Sequence, residues 1–126
     1  MRVTSLPGRI YLIDVFHNLS LASVSTALEV IWAAPGWRQP WGLVIVMHET
    51  ATYDGDIRKH PVPRDDKRAV GTAIVTTKPL HRAVIKSIGL GLVMLSGFIL
   101  TAEGTVEAAV TAQLALIKRT EERKRR

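Results

Sequence analysis

The chain has 126 residues with 17 basic and 11 acidic side chains, a net charge of +6, and no cysteine. Its length is one domain's worth, its 47% apolar content excludes wholesale disorder, and the missing cysteines exclude a disulfide framework, a thiolate nucleophile and a cysteine-ligated metal. The charge is uneven: the last nine residues, KRTEERKRR, carry six basic and two acidic groups, so the body is nearly neutral and the high pI belongs to a tail. Only seven aromatic residues are present and none is interleaved with that tail, which argues against a stacking platform for single-stranded nucleic acid.

In chain order, MRVTSL reads as a short strand turned at Pro7-Gly8 into a better one, RIYLIDVF, and the pair suggests an antiparallel hairpin. In the second strand Ile10, Leu12 and, less cleanly, Asp14 share one face, with Tyr11, Ile13 and Val15 on the other. Asp14 and His17 interrupt the apolar run and no small-residue cleavage site follows, so this is not a signal peptide. Asn18 or Ser20 can cap a helix over Leu21 to Ala34, where Leu21, Val24, Leu28 and Ile31 recur at helical spacing. Pro35-Gly36 ends it. The turn that follows holds Trp37 and Trp41, either a lid over the core edge or a secondary binding surface.

GLVIVM, Gly42 to Met47, is the strongest strand and belongs at the centre of the sheet. Beyond it His48 to Arg68 is densely charged and broken by Pro61 and Pro63, which forbid an unbroken helix. A short helix over Asp65 to Ala69 is the most regular structure expected there. This segment follows the carboxyl end of a central strand, where α/β sheets bind ligands, and a doubly wound sheet would add a switch-point crevice. Thr50, Thr52, Asp54, Asp56, Arg58, Lys59, Arg64 and Lys67 form the candidate protein-interaction surface. His48, Glu49, His60, Asp65 and Asp66 add metal-ligating or acid/base residue types. Their spacing matches no metal motif, so a solvated loop is the plainer reading and no metal, cofactor or catalytic set is assigned. His17 and His81 stand alone.

From Ala69 to Ile117 the pattern alternates strand, helix, strand, helix. Val70 to Val75 is a buried strand, Thr77 caps a helix with Pro79 at its first position, Gly97 to Thr101 is a short strand, and a last helix begins near Gly104. Its stripe is Val106, Ala109, Val110, Leu114 and Ile117, with Glu121 to Arg126 a solvated basic end. Ser87 to Ala102 is uncharged, but as a helix it would reach only about 24 Å against roughly 30 Å of hydrocarbon, and its glycines favour a helix, a turn and a strand over a membrane span. The fold class expected is therefore α/β: a mixed, mostly parallel sheet of four to five strands with covering helices, one domain over 1–120 with a tail at 121–126.

The succession GRIYLIDVF, helix, PWGLVIVM, charged crossover, AVGTAIVTTKPLHRAVIKSI, GFILTA and TVEAAVTAQLAL resembles the bacterial STAS-like domains, small α/β modules related in fold to anti-sigma-factor antagonists. The resemblance runs over residues 9–117 and rests on apolar patterns. It implies a cytoplasmic, non-enzymatic regulatory or scaffolding domain that binds another protein. The family's regulated members carry a phosphorylatable D-S-[ST]-G-like motif after the central strand; HETATYDGD holds Thr50 and Thr52 but not that motif. Two other classes compete: a nucleic-acid-associated protein using the basic tail, distinguished by steep salt dependence, and a small-ligand-binding α/β protein. An edge strand or the Trp37–Trp41 turn could support a homodimer, but neither requires one.

Overall fold

The computed structural model describes residues 2–49, 51–53, 67–83, 85–86 and 99–125. The chain begins with the expected hairpin: β1 (Arg2–Leu6) pairs antiparallel with β2 (Ile10–Val15), Arg2 opposite Asp14 and Leu6 opposite Ile10. The turn places Gly8 and Arg9 in the left-handed region, at φ +84 and +63. Glycine does this freely; arginine does so against a steric cost of roughly 1–2 kcal/mol. Arg9 is held by its own side chain, which donates to the Gln39 carbonyl and pairs with Glu121.

A two-residue strand, β3 (Asn18–Leu19), leads into α1 (Leu21–Trp32). Of the two candidate caps the structure uses Ser20: its hydroxyl accepts from the Ser23 amide at 3.1 Å, and the Ser23 hydroxyl accepts from the Ser20 amide at 2.9 Å. Then come β4 (Gly42–Met47), a second two-residue strand β5 (Thr52–Tyr53), and β6 (Thr72–Val75). Residues 79–83, 85 and 86 are helical, with Pro79 in the first turn as its fixed φ favours (α2). At this start the Lys78 amide donates to the hydroxyl of Thr76, one residue before the expected cap. The chain closes with β7 (Leu100–Glu103) and α3 (Val106–Lys124), the latter capped by Thr105.

Five strands form one sheet in the order β1-β2-β4-β6-β7, with every pair after the hairpin parallel. The expectation of a mixed, mostly parallel sheet with GLVIVM at its centre agrees. Position in the sheet simply follows position in the chain. Among the described strands the order never reverses, so the crevice of a doubly wound sheet, which needs a reversal, has no counterpart. β3 and β5 pair parallel in a separate small sheet that the sequence pattern did not announce.

The two faces of β2 divide as their alternation requires. Tyr11, Ile13 and Val15 join Leu43 and Ile45 against Val24, Ala27, Leu28 and Ile31 of α1. Ile10 and Leu12 join Val44, Val46, Ala73 and Val75 against Ala109 and Ile117 of α3. At about 25 cal/mol per Å2 of apolar area, these two layers are the main source of stability. β7 occupies Leu100–Glu103, two to three residues later than expected; positions 97 and 98 of the expected strand lie outside the described residues. Most of Ser87 to Ala102 lies outside them too, and among the described residues no helix is long and apolar enough to cross a membrane.

The closing helix corrects the sequence reading of its apolar stripe. Its stripe is rotated: Gln113 is fully buried while Leu114 is 42% exposed. The cause is Gly42, where a Cβ would lie 2.9 Å from the Gln113 side chain, so the glycine lets α3 sit close on β4 with Gln113 as the filler. The helix runs on to Lys124, where Glu121 pairs with Arg9 and Glu122 to Arg125 are exposed.

Gln113 generates a test. Both amide atoms, Oε1 and Nε2, are buried without a hydrogen-bond partner among the described residues. Burying an amide unpaired costs about 1–3 kcal/mol, whereas methionine offers similar volume without that cost. Gln113→Met is expected to raise the midpoint of urea denaturation; a fall of similar size would show that the amide is satisfied in solution.

Candidate functional site

The carboxyl edge of the parallel strands carries a cluster built on Asp14. β2 alternates its side chains, so the residue after Ile10 and Leu12 on the α3 face is a carboxylate, only 6% exposed. A charge so placed needs partners. Arg2, directly opposite across the hairpin, donates from Nε and Nη2 to Asp14 Oδ2 at 3.3 and 3.2 Å. His48, one residue past the end of β4, lies 2.8 Å from Oδ1 through its Nε2. Since the carboxylate accepts, that nitrogen carries the proton. Phe16 stacks on the imidazole with ring centroids 4.3 Å apart and planes 12° from parallel. The ring is thus fixed by its edge and by one face while its side chain remains 38% exposed.

The backbone around this cluster is equally constrained. The His48 amide donates to the Val15 carbonyl, and the Thr52 amide to the His17 carbonyl at 2.7 Å. The chains leaving β2 and β4 therefore run side by side as β3 and β5, with Thr52 Oγ1 donating to Asn18 Oδ1 at 3.0 Å. Leu19 and Ala51 are buried beneath them and join the α1-side core. His48 and its followers are not the start of a solvated loop, as the charge pattern suggested. Among the described residues of that segment, His48, Thr52 and Tyr53 are bonded to the chain at and beyond the end of β2, and Ala51 is buried in the core.

Of the interaction surface read from the sequence, Thr52 is exposed on β5, whereas Thr50, Asp54, Asp56, Arg58, Lys59 and Arg64 lie outside the described residues. So do Asp65 and Asp66 of the expected short helix, whose remaining positions 67–69 are not helical. Lys67 is at the opposite edge of the sheet. The Trp41 indole donates from Nε1 to the Lys67 carbonyl at 3.1 Å, and the Val70 amide donates to the Trp41 carbonyl at 2.8 Å. The Lys67 ammonium lies over the Trp32 ring, 5.0 Å from its centroid. Thr52 and Lys67 are therefore not neighbours; Lys67 belongs with the tryptophans.

Trp41 is not a surface residue. It is 1% exposed, edge-to-face with both Tyr11 and Trp37, and part of the core. Its size and its indole donor make it a clasp between β4 and the returning chain. Trp37 is half-buried over it, the arrangement of a lid. His17 is exposed and His81 half-buried, and among the described residues no group of three or more His, Asp or Glu side chains could hold a metal ion.

Compared with known proteins, the chain matches no family model, no curated protein and no solved structure.

The two tryptophans separate by one chemical change. Trp41 Nε1 is bonded, whereas Trp37 Nε1 is buried without a partner among the described residues. Trp41→Phe should lower stability by about 1–3 kcal/mol, having left the Lys67 carbonyl unpaired. Trp37→Phe removes an unsatisfied donor and should be neutral or stabilising. Chemical denaturation of both variants checks the contrast; equal losses would contradict it.

Proposed function

We propose that this chain is a non-enzymatic regulatory or scaffolding module that binds another protein through the charged segment after the central strand. The observation that carries the reading is the anchoring of that segment at both ends. It leaves from β5, which is paired to β3, and it returns at Lys67 and Val70, both bonded to Trp41. The two anchors are at opposite edges of the sheet, a β4 length apart, about 20 Å at ~3.3 Å per residue. A charged stretch whose ends are already fixed loses less freedom on meeting a partner, and its charges supply steering and register.

The STAS-like reading supplies the type of module. The resemblance rests on the order strand, helix, central strand, charged crossover, strand, helix, strand and alanine-rich closing helix over residues 9–117. A bacterial, cytoplasmic setting belongs to the same proposal. Thr50, Thr52, Asp54, Asp56, Arg58, Lys59 and Arg64 are its recognition residues; Lys67 is set apart with Trp32 and Trp41.

The test begins with affinity capture from the native host and mass spectrometry. The chain with Arg58, Lys59 and Arg64 all changed to Ser is then titrated against the captured protein. The sequence reading takes these charges as solvated, and changes at solvated charges usually cost less than about 0.5 kcal/mol each, so the melting temperature should barely move. Affinity should fall, and most at low salt. Wild-type affinity in the folded triple variant would place the interface elsewhere.

A further inference from the structure

The Asp14–His48 pair does something that anchoring alone does not need: it leaves one imidazole nitrogen in a defined state. Nε2 carries the proton and gives it to Asp14 Oδ1 at 2.8 Å. In the neutral imidazole Nδ1 then holds the lone pair, and among the described residues it has no hydrogen-bond partner. The ring cannot turn readily to exchange the two nitrogens, because Phe16 covers one face at 4.3 Å and Arg2 holds the other oxygen of the same carboxylate. An imidazole oriented by a buried carboxylate, with its far nitrogen free and its side chain 38% exposed, is an activated nucleophile.

We infer that His48 is a phosphoryl-acceptor site, taking a phosphoryl group on Nδ1 from a high-energy donor such as a phosphoramidate or an acyl phosphate. In the step, the Nδ1 lone pair attacks phosphorus and a nitrogen–phosphorus bond forms. The donor's bond to its leaving group breaks, and the leaving group departs with the bonding electrons. No oxidation or reduction occurs. The Nε2 proton stays on the ring, and the positive charge that attack places on the imidazole faces Asp14, which is already within hydrogen-bond distance to stabilise it. Asp14 is thus a positioning residue for the nucleophile.

A phosphoryl group also needs donors for its oxygens. Arg2 spends Nε and Nη2 on Asp14, leaving Nη1 without a partner among the described residues on a side chain 70% exposed. An acyl electrophile would instead require donors arranged around a carbonyl oxygen. The phosphoryl oxygens would place about −1.5 to −2 charges beside the start of the charged segment, partly offset by the ring's positive charge while Nε2 keeps its proton. The inference goes beyond the interaction reading and stands independently of it.

The experiment uses the full chain and phosphoramidate, with the modified residue mapped by fragmentation and the isomer read by phosphorus NMR. The other histidines, His17, His60 and His81, serve as controls in the same tube. The expected result is labelling at His48 about tenfold or more faster than at the others, the margin an orienting carboxylate readily supplies, with the phosphoryl group on Nδ1. Uniform labelling, no labelling, or the Nε2 isomer in the wild-type chain would overturn the assignment. That comparison needs no variant, so it decides even if substitutions at Asp14 unfold the protein. In Asp14→Asn that remains folded by circular dichroism, His48 should lose its rate advantage and react at Nε2, a switch that loss of packing would not produce. Persistent fast reaction at Nδ1 in that variant would equally overturn it. No partner is present in the assay, so a negative result leaves the interaction reading standing.

Discussion

A carboxylate buried at the end of a strand must be paired, and Asp14 is where this fold meets that demand. Its partners come from two other elements, Arg2 on β1 and His48 after β4, so one ionised group ties three strands at the carboxyl edge of the sheet. Removing one member of such a cluster leaves a buried charge uncompensated, a loss of about 3–5 kcal/mol where burial is deep. With Arg2 well exposed, the larger share falls to the His48 contact. The position of His48 then draws the following residues alongside β3, so the small β3–β5 sheet is built outward from this pair.

The opposite edge is organised by a different force. Trp41 combines a large apolar surface with one donor, and it spends both: the ring on Tyr11 and Trp37, the indole N–H on the Lys67 carbonyl. The charged segment is therefore fixed by the His48–Asp14 hydrogen bond and ladder bonds where it leaves and by an aromatic clasp where it returns. Between these edges the two hydrophobic layers hold α1 and α3 to the sheet. Arg9 closes the third corner, accepting a left-handed backbone in exchange for bonds to Gln39 and Glu121.

What was legible in the sequence was what alternation and helical spacing encode. Tyr11, Ile13 and Val15 against Ile10 and Leu12 gave β2 two buried faces, and the β-branched run from Leu43 to Val46 gave the central strand. The hairpin at Pro7-Gly8 was legible for the same local reasons, as was a cap at Asn18 or Ser20, between which the structure chooses Ser20. Pairing across the sheet was not: Asp14 meets its partners 12 and 34 positions away, and no periodicity marks them. β3 and β5, two residues each, are too short to carry a pattern. The stripe of α3 was misread at Gln113 and Leu114 because polarity ranks them one way, while the close approach at Gly42 ranks them the other. Lys67 looked like part of a loop because its aromatic partners are distant in sequence.

The claim on which the rest depends is that Asp14 and His48 act as one unit in the folded chain. A double-mutant cycle with Asp14→Ala, His48→Ala and the double variant, read by urea denaturation, measures that coupling directly. Residues joined in one hydrogen-bond network couple by about 0.5–3 kcal/mol. A coupling of at least about 1 kcal/mol, with the second substitution costing much less than the first, is the expected result. Strict additivity of the two losses would mean that the pair does not organise this edge, and would contradict the account.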